Sequence, residues 1–214
     1  MINDTKMNSV LNYVLKNAKQ DDPQSVLDVI DSFVLETNTF LMNVGPEKGK
    51  LLAETIKDLM PLKALELGSF LGYSAITIAM FLPKAGSLVS IDHDKDSITA
   101  SKKIVEYAGL ENKVHFINSA SDEAINNLEE AFDFIFIDHE KNRYYSDLLL
   151  MEKLNLINKG GIVFADNVGI FEDKMKDYFA HVRDSGVYTS KNIGAQLEYR
   201  DNVYDAVEIS NLVR

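Results

Sequence analysis

The sequence predicts an α/β fold built on a doubly wound, mostly parallel sheet with helices on both faces. Beyond residue 60, short apolar runs alternate with longer amphipathic stretches, which is the pattern of β-α units. The runs are mostly apolar rather than strictly alternating, as is typical of strands buried on both faces. They span residues 64–67, 88–91, 114–117, 132–137 and 162–165.

The two ends of the chain frame this sheet. Residues 5–19 and 24–37 carry apolar side chains at helical spacing, so two or three extra helices precede the first strand. From Gly186 onward strand-like residues return, which predicts a C-terminal antiparallel hairpin and brings the sheet to seven strands. No repeat or linker divides the 214 residues, so we expect a single domain spanning 1–214.

Composition limits the classes of function. The chain has 22 Lys and Arg against 33 Asp and Glu, a net charge of −11 that disfavours nucleic acid as a partner. It has no cysteine, which excludes disulfides, thiolate metal sites and a cysteine nucleophile. No apolar stretch reaches the roughly 18 residues of a membrane span, and the first residues lack the features of a signal peptide. We therefore expect a cytoplasmic monomer that acts on a small molecule, without a nucleic-acid or membrane partner.

The ends of the first two apolar runs suggest a nucleoside pocket, since ligands of such sheets bind at the carboxyl ends of the strands. Gly68 and Gly72 allow a ligand to approach the backbone closely. Asp92 follows at the distance expected of a ribose-binding carboxylate. The second glycine of the dinucleotide pattern G-x-G-x-x-G is missing, and Glu66 would repel a pyrophosphate but attract an ammonium group. The loop therefore favours S-adenosylmethionine over a nicotinamide dinucleotide; the alternative is a tight turn without a ligand.

The ends of the last two runs suggest a metal site. Asp138 ends one run, and Asp166 and Asn167 end the next. Two carboxylates and an amide, without sulfur, suit a hard cation such as Mg²⁺. His139 is a weaker ligand candidate because adjacent residues at a strand end point to opposite sides. The alternative is that Asp166 and Asn167 cap the following helix.

These stretches together resemble the catechol O-methyltransferases, a family of Mg²⁺-dependent enzymes that bind S-adenosylmethionine on a Rossmann-like fold. The resemblance runs from about residue 4 to residue 203, nearly the whole chain. The matching stretches are MNVGPEKGK (42–50), LELGSFLGYSA (65–75), IDHD (91–94), Ala120-Ser121, IDHEKNRY (137–144), FADNV (164–168), FAHVR (179–183) and LEYR (197–200).

The resemblance implies a role for each matched residue. The implied general base is Lys141. The implied substrate contacts are Lys141, Asn167, Glu198, Met42 and Phe40. The implied Mg²⁺ ligands are Asp138, Asp166 and Asn167. The implied cofactor contacts are Val44, Glu66, Gly68, Ser74, Asp92, His93, Ser121, Asp122, Asp138 and His139. The implied reaction is Mg²⁺-dependent transfer of a methyl group from S-adenosylmethionine to one hydroxyl of a catechol. The alternative is a related cation-dependent O-methyltransferase for other vicinal-hydroxyl phenolics, of caffeoyl type or from bacterial secondary metabolism.

Several positions leave more ordinary interpretations open. Lys141 could be a solvated surface lysine, and Glu198 an exposed strand residue. Phe40 and Glu140 stand where mammalian members of the family have tryptophan, and the segment 168–177 is longer and lacks a proline. Glu140 could favour a cationic or polar substituent on the catechol, or it could be a solvated residue at the rim.

Overall fold

The computed structural model describes residues 4–213, and in that range eight α-helices flank one seven-stranded sheet. The helices are α1 (Thr5–Asn17), α2 (Pro23–Thr37), α3 (Gly45–Leu59), α4 (Tyr73–Phe81), α5 (Lys95–Tyr107), α6 (Ser121–Asn126), α7 (Tyr144–Lys153) and α8 (Lys176–Asp184). The strands are β1 (Lys63–Leu67), β2 (Ser87–Asp92), β3 (Val114–Asn118), β4 (Phe132–Ile137), β5 (Ile157–Ala165), β6 (Tyr188–Gln196) and β7 (Tyr204–Leu212). No helix among the described residues is long and apolar enough to cross a bilayer.

The strand order in the sheet is β3-β2-β1-β4-β5-β7-β6. The first five strands of that order pair in parallel, whereas β7 pairs antiparallel with both β5 and β6. The chain winds outward from β1 in one direction and then returns to β4 on its other side, so the loops after β1 and β4 diverge and leave a crevice between them. The architecture confirms the predicted α/β class, the leading helices and the C-terminal hairpin.

Capping side chains determine where the first two helices begin. The Asp4 side chain accepts a hydrogen bond from the Met7 N–H at the start of α1. The Asp22 side chain does the same for Ser25 at the start of α2, where Pro23 occupies the first turn. Such caps satisfy backbone donors that have no partner inside the helix, and each is worth about 1 kcal/mol.

The central strand β4 contributes side chains to the two hydrophobic clusters of the core, one on each face of the sheet. Phe134 and Phe136 pack into a cluster formed with helices α1 to α5, while Ile135 and Ile137 pack into a second cluster with α6 to α8. All four side chains are fully buried. Burying each contributes about 1.5–3 kcal/mol, and this two-sided burial is the reason for the continuous apolar run.

Strand β5 begins five residues earlier than its apolar run, at Ile157 rather than residue 162. After Ile157, residues 158–160 are exposed, and the register with β4 shifts between Phe132 and Phe134. Gly160 there has a φ of +79°. Ile157 is the one apolar side chain in this part of the strand, and residues 158–160 are exposed, so the sequence shows no apolar run here.

The turn between β6 and β7 contains Leu197 and Tyr199, which look like strand residues in the sequence. The Leu197 N–H donates to the Val203 carbonyl oxygen at 2.9 Å and closes the turn. Tyr199 has a φ of +55°, and its hydroxyl donates to Asp31 Oδ1 at 2.7 Å. A tertiary hydrogen bond to α2 therefore holds Tyr199 in this turn.

Candidate active site

The candidate active site lies at the carboxyl ends of β1, β4 and β5, beside the turn between β6 and β7. The loops after β1 and β4 meet at Gly68, whose φ is +105°. A Cβ atom there would lie 2.2 Å from the carbonyl oxygen of Asp138. Only glycine allows this close approach, which explains why the loop needs it.

Asp92, at the end of β2, organises the loop after β1. Its Oδ2 atom accepts hydrogen bonds from the N–H groups of Ser69 at 3.0 Å and Phe70 at 3.1 Å, and its Oδ1 atom accepts one from Asp94 at 2.8 Å. A carboxylate offers about four acceptor positions, so these bonds leave some capacity for a further donor.

Glu66, on β1, is a fully buried carboxylic acid. The Ser90 hydroxyl donates to its Oε2 atom, while its Oε1 atom has no partner among the described residues. Burial, reinforced by the nearby carboxylates of Asp138 and Asp92, raises the pKa of Glu66 from 4.5 to about 8. A buried acceptor without a partner is costly, so the position fits a cationic or donating ligand group.

Other predicted cofactor positions differ in exposure. Val44 precedes α3 and Ser74 lies in the first turn of α4, and both are buried. His93 is not buried: its side chain is 71% exposed, and its Nδ1 atom lies 3.8 Å from Asp92 Oδ1.

Arg143 joins the segment after β4 to the start of α6. Its Nη1 atom lies 3.2 Å from the Ser121 hydroxyl and 3.0 Å from Asp122 Oδ1. Its Nε atom lies 3.6 Å from Oε2 of Glu140, whose side chain is 59% exposed. Glu140 is therefore a solvated residue that faces a guanidinium.

His139 is directed toward α7. Its Nε2 atom lies 2.7 Å from Asp147 Oδ2, and its ring stacks on Tyr144 with centroids 5.3 Å apart. Its Nδ1 atom is buried without a hydrogen-bond partner among the described residues. His139 thus contacts α7, whereas Asp138 contacts Lys141.

Lys141 is held by two hydrogen bonds and is not a solvated surface lysine. Its ammonium donates to Asp138 Oδ1 at 2.7 Å and to the Tyr144 hydroxyl at 2.6 Å. The Tyr144 hydroxyl in turn donates to the carbonyl oxygen of Asp166 at 3.1 Å. Burial, followed by the charges of Asp138 and Asp166, raises the pKa of Tyr144 well above its usual value, so this phenol stays protonated.

A second lysine, Lys48 of α3, is fully buried among three carboxylates. Its Nζ atom lies 2.7 Å from Asp166 Oδ1, 2.9 Å from Glu198 Oε2 and 2.7 Å from Asp205 Oδ2. Glu198 is buried as well, so it is not an exposed strand residue. We call Lys48, Asp166, Glu198 and Asp205 the buried charge cluster.

Burial and the neighbouring charges shift the pKa values of this cluster in opposite directions. Burial alone would lower the pKa of Lys48, but its three carboxylates outweigh burial and raise that pKa above the usual value. Burial raises the pKa of Asp166 and of Glu198, and Lys48 offsets it only in part. For Asp205, Lys48 and further hydrogen bonds outweigh burial and lower the pKa.

The predicted metal ligands fit a hard cation by their chemistry. Asp166 Oδ2 is buried without a hydrogen-bond partner. The Asn167 amide nitrogen donates to Asp205 Oδ2 at 2.9 Å, which leaves the amide oxygen as its free acceptor. Helix α8 begins only at Lys176, so Asp166 and Asn167 do not cap it. Within residues 4–213 no three His, Cys, Asp or Glu side chains group as a metal site, and the predicted set contains only two such residues.

Sequence reasoning missed Lys48 and Asp205. The signal for Lys48 is its position on the buried stripe of α3, with Gly45, Leu52 and Ile56. A lysine at helical spacing within an apolar stripe requires buried counter-charges. Asp205 is 157 residues away in the sequence, so no local pattern pairs it with Lys48.

A further network fixes two segments of the site to the helical layer. Asp31 of α2 accepts hydrogen bonds from the Tyr73 hydroxyl at 3.1 Å and the Tyr199 hydroxyl at 2.7 Å. The Asn43 amide donates to the Tyr199 hydroxyl at 3.0 Å. These bonds hold the 197–200 turn, which carries Glu198, against the segment before α3.

Aromatic and cationic side chains form the rim of the site. The Phe171 ring lies 5.9 Å from Lys141 Nζ and 5.3 Å from Lys174 Nζ. The Phe40 ring lies 5.2 Å from the Arg200 guanidinium carbon. Met42 is 66% exposed.

Solved structures share this fold. The O-methyltransferase TomG from Streptomyces achromogenes, solved with SAM, aligns over 100% of both chains with a TM-score of 0.78 at 21% identity. The O-methyltransferase from Bacillus cereus, solved with SAH, aligns over 95% of this chain and 90% of its own, with a TM-score of 0.75 at 20% identity.

Sequence comparison identifies the family as well as the fold. Catechol O-methyltransferase of Mus musculus is 35% identical over 209 residues, covering 95% of this chain and 77% of its own. Catechol O-methyltransferase B of Danio rerio is 36% identical over 200 residues, covering 91% and 75%. The model of the O-methyltransferase family matches residues 17–186. The chain therefore belongs to the O-methyltransferase family.

Proposed function

We propose that this O-methyltransferase transfers a methyl group from S-adenosylmethionine to one hydroxyl of a catechol, with Mg²⁺ bound and with Lys141 as general base. One observation carries the proposal. Lys141, held 2.7 Å from Asp138, converges with Asp166 and the buried Glu198 at the edge of the sheet. A proton acceptor, a hard-cation donor set and a carboxylate for a second hydroxyl thus meet in one place.

The cofactor would bind in the crevice between the loops after β1 and β4. The unpartnered oxygen of Glu66 is suited to the ammonium group of the methionine part, and Asp92 to the ribose. Gly68, Val44 and Ser74 would line the same crevice. We propose that Asp122 and His139 line the adenine and that Ser121, Asp138 and His93 make further cofactor contacts. The solved relatives that hold SAM and SAH support this assignment.

Asp138, Asp166 and Asn167 would hold the Mg²⁺ ion. Among residues 4–213, the four carboxylates of Asp138 and the buried charge cluster form ion pairs with two lysines, Lys48 and Lys141. With every group ionised, the site carries two excess negative charges, which a divalent cation would compensate. When bound, the ion lowers the free energy of the phenolate form of the substrate.

As the neutral amine, Lys141 would take the proton of the reacting hydroxyl and become the ammonium that donates to Asp138 Oδ1. Asp138 and Tyr144 fix the position of its nitrogen, and Tyr144 cannot replace it because its raised pKa keeps it protonated. A positioned general base typically contributes about 10²- to 10⁴-fold in rate. Glu198, anchored through Oε2 to Lys48, would accept the second hydroxyl and determine which oxygen faces the methyl group.

An assay with S-adenosylmethionine and a panel of phenols tests the proposal. Vicinal diols, including caffeoyl-type acceptors, should be methylated, while monohydric phenols and 1,3-diols should not. A chelator should abolish turnover and added Mg²⁺ should restore it. Lys141→Ala should lower kcat about 10²-fold or more while S-adenosylmethionine still binds by calorimetry.

Turnover that persists in the chelator would refute the metal role. Near-normal kcat in Lys141→Ala would refute the base. The matched control is Lys174→Ala, which removes a neighbouring rim lysine that has no contact with Asp138. It should leave kcat for an uncharged catechol within about twofold.

A further inference from the structure

The rim of the site carries three cationic side chains near its two aromatic rings. Lys6 Nζ donates to the Phe40 carbonyl oxygen at 3.3 Å, and the Arg200 guanidinium lies 5.2 Å from the Phe40 ring. Lys174 Nζ lies 5.3 Å from the Phe171 ring. All three cations are exposed. In the part of the chain that the structure describes, none of the three lies within 4.0 Å of a carboxylate oxygen.

These cations stand on both sides of the reacting groups. The Phe171 ring lies 5.9 Å from Lys141 Nζ, so Lys174 belongs to the Lys141 side of the site. Arg200 follows Glu198 by two residues in the same turn, so Arg200 belongs to the Glu198 side. A catechol whose hydroxyls lie between Lys141 and Glu198 would direct its ring substituent outward to this rim.

Four acidic side chains around the site face another cation, a separate cavity or solvent. Glu140 lies 3.6 Å from the Arg143 guanidinium. Glu172 and Asp173 line a separate cavity of about 500 Å³ along α8, together with Arg183. Asp201, beside Arg200, is exposed. The chain as a whole has a net charge of −11, but this rim brings three exposed cations close to two aromatic rings.

Building on the proposed catechol reaction, we propose that the preferred substrates carry an anionic substituent, of the carboxylate class, on the catechol ring. The rim would attract a carboxylate, and the Arg200 guanidinium offers the planar pair of donors that a carboxylate accepts. A substituent with an ammonium group would meet three positive charges. Glu140 does not provide a receptor for such an ammonium, because its carboxylate faces Arg143.

Three substrates of nearly the same shape test this inference: 3,4-dihydroxyphenylacetate, its uncharged primary amide, and 2-(3,4-dihydroxyphenyl)ethylamine. At low ionic strength, kcat/KM should decrease in that order, with the acid about tenfold above the amine, mainly through KM. Exposed ion pairs are individually weak and screened by salt, so the ratio should shrink at 0.5 M NaCl.

Variants locate the source of the preference. Arg200→Gln and Lys174→Gln should each lower the acid-to-amine ratio about two- to threefold. Lys57→Gln is the matched control, since Lys57 is a lysine on α3 that stacks on Phe81 at 4.0 Å, outside the rim. It should leave the ratio unchanged.

The outcomes separate the two proposals. An amine that is used as well as the acid, or a ratio unchanged in both rim variants, would overturn the inference while methylation of the amide still supports catechol chemistry. No methylation of any of the three would refute the catechol reaction and the inference with it.

Discussion

Lys48 organises the site at the scale of single residues. Its ammonium joins a proposed metal ligand, Asp166, to a proposed substrate contact, Glu198, and to Asp205. Three carboxylates around one ammonium fix each other's positions only while that ammonium is present. Its removal would leave buried negative charges without compensation, which costs more than the lost contacts alone.

Lys48→Met should therefore destabilise the fold strongly. Removing one partner of a buried ion pair typically costs about 3–5 kcal/mol in the free energy of unfolding. Urea unfolding followed by circular dichroism measures this. Lys50→Met, at an exposed position of the same helix, should change stability by less than about 0.5 kcal/mol. Equal effects of the two substitutions would show that the buried cluster is not a stabilising unit.

Glu66 should make the stability of the cofactor-free protein depend on pH. Its pKa is raised from 4.5 to about 8 in the folded state, so the folded protein binds this proton more tightly than the unfolded chain. Between those pH values the contribution of Glu66 to stability falls as pH rises. Glu66→Gln cannot ionise, so its melting temperature relative to the parent should increase from pH 5 to pH 8. Glu54→Gln, an exposed control on α3, should show no such trend; a flat difference for Glu66→Gln would contradict the raised pKa.

At the scale of elements, the contact between the loops after β1 and β4 shapes the cofactor crevice. Both loops are short, and the backbone of one lies against the backbone of the other at Gly68. The Asp138 N–H donates to the Leu67 carbonyl oxygen at 2.9 Å. This hydrogen bond joins the end of β4 to the end of β1, so the two loops start side by side. The position of Asp138 thus depends on the residue at position 68 as well as on β4.

Gly68→Ala should be far more damaging than the same change at another left-handed glycine. At Gly68 the new Cβ would lie 2.2 Å from a carbonyl oxygen, whereas at Gly160, with a φ of +79°, it would meet nothing within 4 Å. Gly160→Ala should cost only the conformational strain, about 1–2 kcal/mol. Thermal unfolding and S-adenosylmethionine affinity should both suffer in Gly68→Ala. Similar losses of stability and affinity in the two variants would show that the contact between the two loops tolerates a Cβ atom at position 68.

At the scale of the whole molecule, one sheet positions the strand-end and hairpin residues of the site, while α3 supplies Lys48. β1, β4 and β5 supply the strand ends, and the β6–β7 hairpin, joined to β5 through β7, supplies Glu198 and Asp205. The single domain 1–214 and the monomeric state stay predictions. If the sheet is one cooperative unit, its halves cannot unfold separately.

Urea unfolding should accordingly show one transition. Circular dichroism reports the whole backbone, and fluorescence reports the nine tyrosines of this tryptophan-free chain. The two curves should coincide, and S-adenosylmethionine should shift both midpoints equally because it binds the folded state. Two separate transitions would contradict the single domain.

Much of this architecture could be predicted from the sequence because its signals are local. Strands β1 to β4 and the last part of β5 are apolar runs, and the polar residues after them are candidates for the site by their position alone. The first part of β5 and the turn at Leu197 and Tyr199 could not be predicted. The former has exposed residues at 158–160 and therefore no apolar run. A hydrogen bond from Tyr199 to Asp31, far away in the sequence, holds the latter.

The sequence by itself determined the class of fold, the order of the elements and the residue types at the strand ends, since hydrophobic burial and backbone propensity act over neighbouring residues. Only the tertiary structure decided which charges meet. It placed Lys48 among carboxylates up to 157 residues away and turned Glu140 toward Arg143. It also brought Lys6, Lys174 and Arg200 beside the rings of the rim, where none of them has an ion pair with another residue of the range 4–213. Electrostatic pairing depends on distance in space rather than along the chain, so these features appear only once the chain is folded.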